Sequence, residues 1–334
     1  MKVQQITFIS QGQVQFTSVD FPDTLLPHQL LLKTEYTLIS PGTEYDVLTN
    51  QIGNVRYPSV LGYSAVARVV KTGEAVTEFR EGDRCLCYHS SHRSYQIMTC
   101  DQLAKIEFDT LPPEEALFCV VGCMGFQGVR RCRPELGESA IVLGAGLLGQ
   151  FAMQTFRLCG AYPVICLDFH AFRREKALQY GADGAFSPEE KDLPEKIRSL
   201  TGNHTLCNNA VEVTGNPQAL IQALTLMAPA GRISLVGCSR TPTKELDFYN
   251  LVHKPGIQIL GAHNMARPLH DGRPGVWTMK EDMKTLLRYM AGGRLHSRHL
   301  ITDILDPARA PAAYSRLVQK DPGLLGTVFD WNNC

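Results

Sequence analysis

The feature that most constrains the fold is a glycine-rich hexapeptide, Gly144-Ala145-Gly146-Leu147-Leu148-Gly149, which has the spacing G-x-G-x-x-G. An uninterrupted apolar run, Ser139–Leu143, precedes it, and apolar residues at helical spacing follow it as far as Cys159. Asp168 lies nineteen residues after Gly149, at the end of a second apolar run. A strand, a glycine turn, a helix and an acidic residue after the next strand together predict a dinucleotide-binding βαβ unit.

Each glycine of this motif has its own expected role. Gly144 makes the tight turn, Gly146 lets the backbone approach the pyrophosphate, and Gly149 lets the helix pack closely on the strand. The N-terminus of the helix favours the anionic pyrophosphate through its unpaired N–H groups. The residues expected to contact the cofactor are Gly144, Gly146, Leu147, Leu148, Gly149, Asp168, Arg173, Thr214 and Gly237.

Asp168 also bears on which dinucleotide binds. A carboxylate at this position accepts hydrogen bonds from the adenosine ribose and repels a 2′-phosphate, so we expect NAD in preference to NADP. Arg173 and Arg174 follow a few residues later, where they would accommodate a phosphate, and a solvated start of a helix is the alternative interpretation of this pair.

The same strand–helix alternation continues after the motif. Apolar runs predict further strands, and helices are expected between them, which is the pattern of a doubly wound parallel sheet. The expected strands are Ser139–Leu143, Val164–Asp168, Leu206–Val213, Arg232–Gly237 and Gln258–Gly261, and the expected helices are Leu147–Cys159, Phe172–Tyr180 and Pro217–Met227.

The pattern of apolar residues is different in the N-terminal part of the chain. Short alternating runs separated by Gly and Pro predict a compact β-rich module before about residue 115, with strands at Gln29–Thr34, Ala65–Lys71, Arg84–Tyr88 and Tyr95–Thr99. The last apolar segment, Gly326–Phe329, is expected to return to this module. The predicted domains are therefore 1–124 with 263–334, and 125–262.

Composition excludes several classes of protein. The 33 basic and 33 acidic residues cancel, and no strongly basic run remains, so we expect no nucleic-acid partner. The apolar runs are strand-sized, which predicts no membrane span, and the N-terminus lacks the apolar run of a signal peptide. Eleven cysteines in such a chain are expected to be reduced thiols, which favours a cytoplasmic protein.

Several stretches resemble the medium-chain dehydrogenase/reductase family, which includes the zinc alcohol and polyol dehydrogenases. The segment Ser40-Pro41-Gly42-Thr43-Glu44 lies where that family has Cys-Gly-Thr-Asp, and Pro58–Ser64 lies where it has Pro-x-x-x-Gly-His-Glu. Further matches are Gly73, Gly82-Asp83-Arg84, Val236-Gly237 and His299-Leu300-Ile301-Thr302. The resemblance covers essentially the whole chain and implies a GroES-like catalytic domain, a Rossmann domain and an α/β fold.

The resemblance does not extend to the zinc ligands of the family. Zinc needs thiolate, imidazole or carboxylate ligands in a near-tetrahedral set. Pro41 occupies the position of the first cysteine, Tyr63 that of the histidine and Ser64 that of the following glutamate, so only Cys123 matches a ligand. No cysteine lies between Cys87 and Cys100, where the structural zinc lobe would need four. We expect neither zinc.

Without zinc, side chains of the protein must stabilise the reacting oxygen. The resemblance assigns this role to Thr43, which matches the hydroxyl residue of the family's proton relay. Tyr63 is a candidate acid/base if its pKa is lowered, and a ring that fills vacated volume is the alternative. Glu44 is the nearest carboxylate and would act as a base or orient another donor, unless it is paired within the domain.

Other polar and aromatic residues are candidates for substrate contact. His89 and His92 lie in a loop expected to face the cleft, and the segment after the last Rossmann strand supplies the remainder. This set is His89, His92, His263, Asn264, Arg267 and Trp277. Exposed loop histidines and ordinary loop packing are the alternative interpretations. Cys119 and Cys123 are expected to be buried thiols.

The sequence thus predicts an NAD-dependent oxidoreductase that interconverts a secondary alcohol and a ketone on a polyol, sugar, cyclitol or similar small polar molecule, without catalytic zinc. A zinc-free quinone or enoyl reductase and an inactive dinucleotide-binding protein are the alternatives. Because the last Rossmann strand, Gln258–Gly261, pairs with its two-fold mate in the family, a homodimer or a homotetramer is also expected.

Overall fold

The chain divides into two compact units, one formed by Met1–Val121 with Met283–Cys334 and the other by Gly122–Asp282. The computed structural model describes residues 1–51, 53–202, 205–273 and 275–334. The second unit extends to Asp282, so residues 263–282 lie outside the domain to which the sequence assigned them.

The first unit is rich in β-structure. Its strands are β1 (Lys2–Ser10), β2 (Gln13–Asp20), β3 (Gln29–Leu38), β4 (Ser64–Thr72), β5 (Arg84–Tyr88), β6 (Tyr95–Thr99), β7 (Leu103–Lys105), β14 (Ile301–Leu305) and β15 (Gly326–Asp330). Its helices are α1 (Pro41–Thr49), α2 (Pro113–Ala116) and α9 (Ala310–Val318). Two further helices, α3 (Cys119–Cys132) and α8 (Met279–Ala291), contain the points at which the two units divide.

Two sheets organise this unit. Seven strands form one sheet, in which β14-β15-β3-β4-β5-β7 are neighbours in that order and β6 pairs with β3. The C-terminal strand β15 runs antiparallel to β3 with Val328 opposite Leu38, which confirms the predicted return of the chain to this module. The hairpin of β1 and β2 forms the other sheet, which the sequence did not predict because polar residues interrupt the alternation of its apolar ones.

The second unit contains one six-stranded sheet in which every pairing is parallel. Its strands are β8 (Ala140–Leu143), β9 (Val164–Leu167), β10 (Gly184–Phe186), β11 (Cys207–Glu212), β12 (Met227–Leu235) and β13 (Gln258–Gly261), and its helices are α4 (Leu147–Leu158), α5 (Ala171–Tyr180), α6 (Leu193–Leu200) and α7 (Pro217–Thr225). The order β10-β9-β8-β11-β12-β13 is that of a doubly wound dinucleotide-binding sheet. The predicted fold class is therefore confirmed.

Alternating side chains of the central strands supply the two cores of this unit. Val142 and Cys166 point into a cluster on one face of the sheet, while Ile141 and Ile165 point into a cluster on the other. All four side chains are buried, as expected for parallel strands covered by helices on both faces. The sheet is thus covered on both faces, and the carboxyl ends of its strands lead into the loops of the candidate site.

The start of β12 and the end of α7 are among the boundaries that differ from the sequence prediction. Strand β12 begins at Met227 instead of Arg232, and helix α7 ends at Thr225. The strand starts earlier because its first residues also pair with β11, with Met227 opposite Cys207. All eleven cysteines lie among the described residues and are free thiols. In the same part of the chain, no helix combines the length and the apolar character needed to cross a membrane.

Candidate active site

The glycine-rich loop connects β8 to α4 in the second unit. Gly144 has φ of 101°, a conformation that strongly favours glycine, and its amide donates to the carbonyl of Leu167 at 2.8 Å. A Cβ atom on Gly149 would lie 1.8 Å from the carbonyl oxygen of Gly144, so α4 packs here directly against the loop. A Cβ on Gly146 would come no closer than 4.0 Å to another group, the Arg173 guanidinium. The loop therefore leaves room at the position predicted to face a pyrophosphate.

Asp168 lies immediately after β9 and is buried. One carboxylate oxygen accepts the Ala145 amide at 2.8 Å, and the other accepts the His170 amide at 2.8 Å and lies 3.0 Å from His170 Nδ1. These bonds fix the carboxylate beside the glycine loop, where the sequence predicted a ribose-binding acid. Neither Ala145 nor His170 was singled out from the sequence.

Two arginines follow Asp168 on α5. Arg173 Nη1 lies 4.0 Å from the Asp168 carboxylate. Arg174 donates to the backbone carbonyls of Asp168 at 2.7 Å and Phe169 at 2.9 Å. The Arg173 guanidinium thus lies near both the carboxylate and Gly146, while Arg174 binds the backbone of the loop after β9.

Glu212 at the end of β11 organises the next part of the same sheet edge. Its buried carboxylate accepts the amide and the hydroxyl of Thr214 and the amide of Gly215, at 2.6 Å for the first amide and 3.1 Å for the second. Burial raises the pKa of this carboxyl, and the hydrogen bonds from Thr214 and Gly215 oppose that shift. Glu212 was not among the cofactor residues predicted from the sequence, although an acidic residue near the end of the predicted strand Leu206–Val213 was a visible signal.

Gly237 and Leu147 are two further residues predicted to contact the cofactor, and both lie in closely packed surroundings. A Cβ on Gly237 would lie 2.2 Å from the Gly215 amide nitrogen, so the chain after β12 closes against the Thr214–Gly215 turn. Leu147 is buried at the first residue of α4, and its neighbour Leu148 is partly buried. The predicted cofactor residues therefore gather at the carboxyl ends of β8, β9, β11 and β12, where doubly wound sheets bind ligands.

Tyr63 lies in the first unit, immediately before β4. Its ring packs edge-to-face against Tyr88, with centroids 5.4 Å apart, and against His89, with centroids 5.1 Å apart. The carbonyl of Tyr63 accepts the His89 amide at 3.0 Å. Tyr63, Tyr88 and His89 thus form one cluster, hereafter the aromatic cluster, of which the sequence had singled out Tyr63 and His89.

His89 has an unusual backbone conformation. Its φ of 58° is in the left-handed region, which residues other than glycine seldom adopt and which often marks functional sites. The side chain is exposed to solvent, yet desolvation by its neighbours lowers the pKa of the imidazole. The ring is therefore neutral at neutral pH and is able to accept a proton.

Gly62 brings two loops of this unit together. A Cβ on Gly62 would lie 2.7 Å from both the Ser90 carbonyl and the His92 amide, and φ is 144°. The His92 amide donates to Leu61 at 2.7 Å. The close approach that only glycine permits here holds residues 61–63 against residues 89–92.

Glu44 and His92 are placed differently from the sequence prediction. Glu44 is 1% exposed and His92 is 0% exposed. The Glu44 carboxylate is bonded by the Ser40 amide, His92 and the Tyr314 hydroxyl. We therefore correct the assignments of Glu44 as a catalytic base and of His92 as a substrate contact, because both side chains are enclosed in the core. Thr43, by contrast, is exposed on the first turn of α1.

Arg267 also departs from its predicted role. Its guanidinium pairs with Asp282, which is fully buried, and donates to the Cys123 carbonyl at 2.7 Å and to the side chain of Asn264 at 2.6 Å. The Arg267 side chain is 5% exposed. It therefore links parts of the second unit through its ion pair and hydrogen bonds and is not placed to contact a substrate.

The remaining substrate candidates lie in the second unit. His263 is exposed, and its Nδ1 accepts the Met265 amide at 3.2 Å. The Trp277 ring is 38% exposed and lies 4.7 Å from the Arg130 guanidinium, which also binds Asp282. Nothing in these contacts assigns either residue to a substrate.

Within the described residues, no group of three or more His, Cys, Asp or Glu side chains is arranged to hold a metal ion. At the positions where the family's zinc ligands would lie, Pro41 offers no donor and Tyr63 packs in the aromatic cluster. Cys123 is buried on α3. The residues at these positions do not fit a catalytic zinc.

Two family descriptions match the chain. The alcohol dehydrogenase GroES-like domain matches residues 26–132, and the zinc-binding dehydrogenase domain matches residues 148–281. The chain belongs to the medium-chain dehydrogenase/reductase family. This membership confirms the resemblance found in the sequence and makes the protein an oxidoreductase of the alcohol dehydrogenase type.

Individual relatives in this family are distant. L-threonine 3-dehydrogenase of Pyrococcus abyssi is 27% identical, with 83% of this chain and 84% of that protein covered. D-guloside 3-dehydrogenase of Escherichia coli is 25% identical, with 78% of this chain and 74% of that protein covered.

Solved structures share the fold at still lower identity. A zinc-binding dehydrogenase of Sinorhizobium meliloti bound to NADP has a TM-score of 0.83 at 20% identity, with 99% of both chains covered. A protein of Escherichia coli CFT073 described as a short chain alcohol dehydrogenase, complexed with NADH, has a TM-score of 0.84 at 18% identity, with 98% of this chain and 99% of that chain covered.

Proposed function

We propose that this protein is an NAD-dependent oxidoreductase that interconverts a secondary alcohol and a ketone on a polyol, sugar, cyclitol or similar polar molecule, without catalytic zinc. The observation that carries the proposal is the pairing of Asp168 with the glycine loop: a fixed carboxylate beside an open Gly146 in a member of a dehydrogenase family. D-guloside 3-dehydrogenase among the relatives supports a hydroxyl-rich substrate.

The preference for NAD rests on charge. Asp168 would accept hydrogen bonds from the adenosine ribose, and its carboxylate would repel a 2′-phosphate. Arg173 lies 4.0 Å from that carboxylate, and its positive charge would favour NADP. Titration with both cofactors tests the balance: we expect tighter binding of NADH, and Asp168→Asn should narrow the difference. Tighter binding of NADPH by the unaltered protein would contradict the preference.

In the proposed reaction the bound nicotinamide supplies the acceptor for hydride. The chain's own residues manage the oxygen and its proton. Thr43 and Tyr63 donate hydrogen bonds to the substrate oxygen, so the charge that develops there is stabilised by two hydroxyls. His89, which is neutral because its pKa is lowered, takes up the proton that leaves the alcohol.

The absence of zinc from this scheme follows from the donor set. Pro41 and Tyr63 replace a thiolate and an imidazole, and a phenol and one remaining thiol do not supply the ligands that a catalytic zinc requires. The free thiols support a reducing, cytoplasmic setting.

The test is production of NADH from NAD by the purified protein, with a panel of polyols, cyclitols and methyl glycosides, in the presence of a chelator. We expect turnover of at least one panel member at a rate that the chelator does not change. Loss of activity to chelator, restored by zinc, would overturn the metal-free mechanism.

Two other outcomes of the same panel would overturn the proposed reaction. Reduction of quinones or enones in place of alcohol oxidation would favour a double-bond reductase. Tight cofactor binding with no turnover would favour a protein that binds the dinucleotide without catalysis.

A further inference from the structure

A network of hydrogen-bonded side chains lies in the buried core of the first unit. Glu44 Oε2 accepts the Tyr314 hydroxyl at 2.5 Å, and His92 Nε2 lies 3.2 Å from each oxygen of the same carboxylate. His92 Nδ1 lies 2.7 Å from the Thr37 hydroxyl, which accepts the Trp331 indole N–H at 2.9 Å. These five side chains are each 1% exposed or less.

The donors of this network can be assigned by elimination. The Ser40 amide donates to Glu44 Oε1 at 2.9 Å, and Tyr314 donates to Oε2. Burial and the neighbouring Glu44 raise the pKa of the Tyr314 hydroxyl well above its usual value, so it remains a donor. The carboxylate accepts from both, and His92 Nε2 must therefore carry a hydrogen that faces it. The buried carboxylate thus has a donor from three different parts of the chain.

Two of those parts carry candidate catalytic side chains. Glu44 follows Thr43 directly on α1, and His92 is three residues after His89 in the loop after β5. The His92 amide also holds Leu61, two residues before Tyr63. Tyr314 brings in the C-terminal helix α9, which packs here through an edge-to-face contact with Phe8 at 5.0 Å.

Buried polar groups are costly unless each has a partner, and a fully partnered network specifies one arrangement of the segments that contribute to it. Here the contact between Glu44 and His92 joins the segments that present Thr43 and His89, and the His92 amide links both to the segment that presents Tyr63. A shift of about 1 Å in a catalytic group is enough to lower turnover by about a hundredfold.

We propose that Glu44, His92 and Tyr314 are positioning residues that fix Thr43 and the aromatic cluster for catalysis. The role in turnover rests on the proposed function, whereas the mechanical link between α1 and the 89–92 loop does not. The chain thereby uses a carboxylate and an imidazole, in the core and away from the reacting atoms, to align the hydroxyls that replace a metal.

Tyr314→Phe is the primary variant, because it removes one hydroxyl and keeps the ring that packs on Phe8 and Phe329. Tyr57→Phe is the matched control: its hydroxyl donates at 2.5 Å to the Val47 carbonyl, in the same helix α1, and has no part in the network. We expect Tyr314→Phe to lower kcat by about ten- to a hundredfold with the KM for NAD unchanged. We expect Tyr57→Phe to leave kcat within twofold, an allowance of about 0.4 kcal/mol.

A double-mutant cycle separates positioning from general destabilisation. Glu44→Gln removes one of the two acceptor oxygens of the network and Tyr314→Phe removes one of its donors, so their losses of kcat should be less than additive in the double variant. Glu44→Gln combined with Tyr57→Phe should be additive. If Glu44→Gln does not fold, the comparison of Tyr314→Phe with Tyr57→Phe still decides the question.

Hydrogen–deuterium exchange provides a readout that does not require turnover. In Tyr314→Phe we expect faster amide exchange in both residues 41–49 and residues 88–93, whereas Tyr57→Phe should affect only the former. Unchanged exchange at residues 88–93, or faster exchange there with full kcat, would overturn the proposal. If no panel alcohol is oxidised by the unaltered protein, the proposed function fails, and the exchange comparison alone supports or overturns the link.

Discussion

At the scale of single residues, the account depends on which hydroxyls stabilise the reacting oxygen. Tyr63→Phe keeps the ring that packs on Tyr88 and His89 and removes only the phenol. Loss of one such donor lowers kcat by about 10²–10³. We expect that loss with unchanged affinity for NADH, measured by steady-state kinetics and fluorescence titration, and Thr43→Val should behave similarly. Near-full turnover of Tyr63→Phe would show that the ring only fills space.

The pH dependence of alcohol oxidation tests His89. A protonated imidazole cannot accept a proton, so kcat/KM should fall as the pH decreases through the pKa of His89. Because desolvation lowers that pKa, the fall should lie below pH 6.5, the usual value for histidine. The His89→Gln variant should lose most activity, and its kcat/KM should no longer fall over this pH range. If the same fall in kcat/KM persists in the variant, another group accepts the proton of the alcohol.

Local spacing predicted some of these residues and missed others for a physical reason. The glycines and Asp168 lie within one βαβ unit, so their separation in sequence nearly fixes their separation in space. The bond from Tyr314 to Glu44 joins residues 270 positions apart, and no local pattern reveals it. The sequence therefore left two interpretations of Glu44, a base beside Thr43 or a carboxylate paired within the domain, and only the fold shows that it is paired.

At the scale of elements, the close packing of α4 against the loop after β8 leaves no room for a side chain at Gly149. A methyl group on Gly149 would lie 1.8 Å from the Gly144 carbonyl oxygen, so Gly149→Ala must push the helix and loop apart. We expect the free energy of unfolding to fall by about 1–3 kcal/mol, measured by urea denaturation.

Gly146→Ala is the matched control for Gly149→Ala. A Cβ at Gly146 meets nothing closer than 4.0 Å, so the variant should keep its stability and lose affinity for the dinucleotide, whose pyrophosphate needs that space. Equal stability of Gly149→Ala and Gly146→Ala would contradict the assigned roles of the two glycines.

Elements with a clear apolar pattern were predictable from the sequence, and those without one were not. The parallel strands β8 and β9 are fully buried apolar runs beside Gly or Pro, and the sequence placed both within one residue. The hairpin β1–β2 was missed because glutamines occupy several of its positions, and its amphipathic face is defined by contacts with the C-terminal segment, including Phe16 near Trp331 at 6.2 Å.

At the scale of the whole molecule, the edge of the parallel sheet bears on assembly. Strand β13 is the last strand of that sheet, and an edge strand offers backbone groups for pairing with another chain. We propose that two copies pair through Gln258–Gly261, giving a homodimer or a dimer of dimers. Light scattering on the eluting protein should report at least twice the 37.0 kDa chain mass, and a monomer at micromolar concentration would contradict this.

We propose that the protein moves a hydride between a substrate carbon and a nicotinamide without a catalytic zinc. Transfer of deuterium tests it most directly. The purified, chelator-treated protein is incubated with NAD and a panel alcohol deuterated at its carbinol carbons, and the cofactor is then analysed by mass spectrometry. We expect NADH that carries a single deuterium, formed at the same rate before and after chelation. Unlabelled cofactor, or label that appears only after zinc is added, would contradict it.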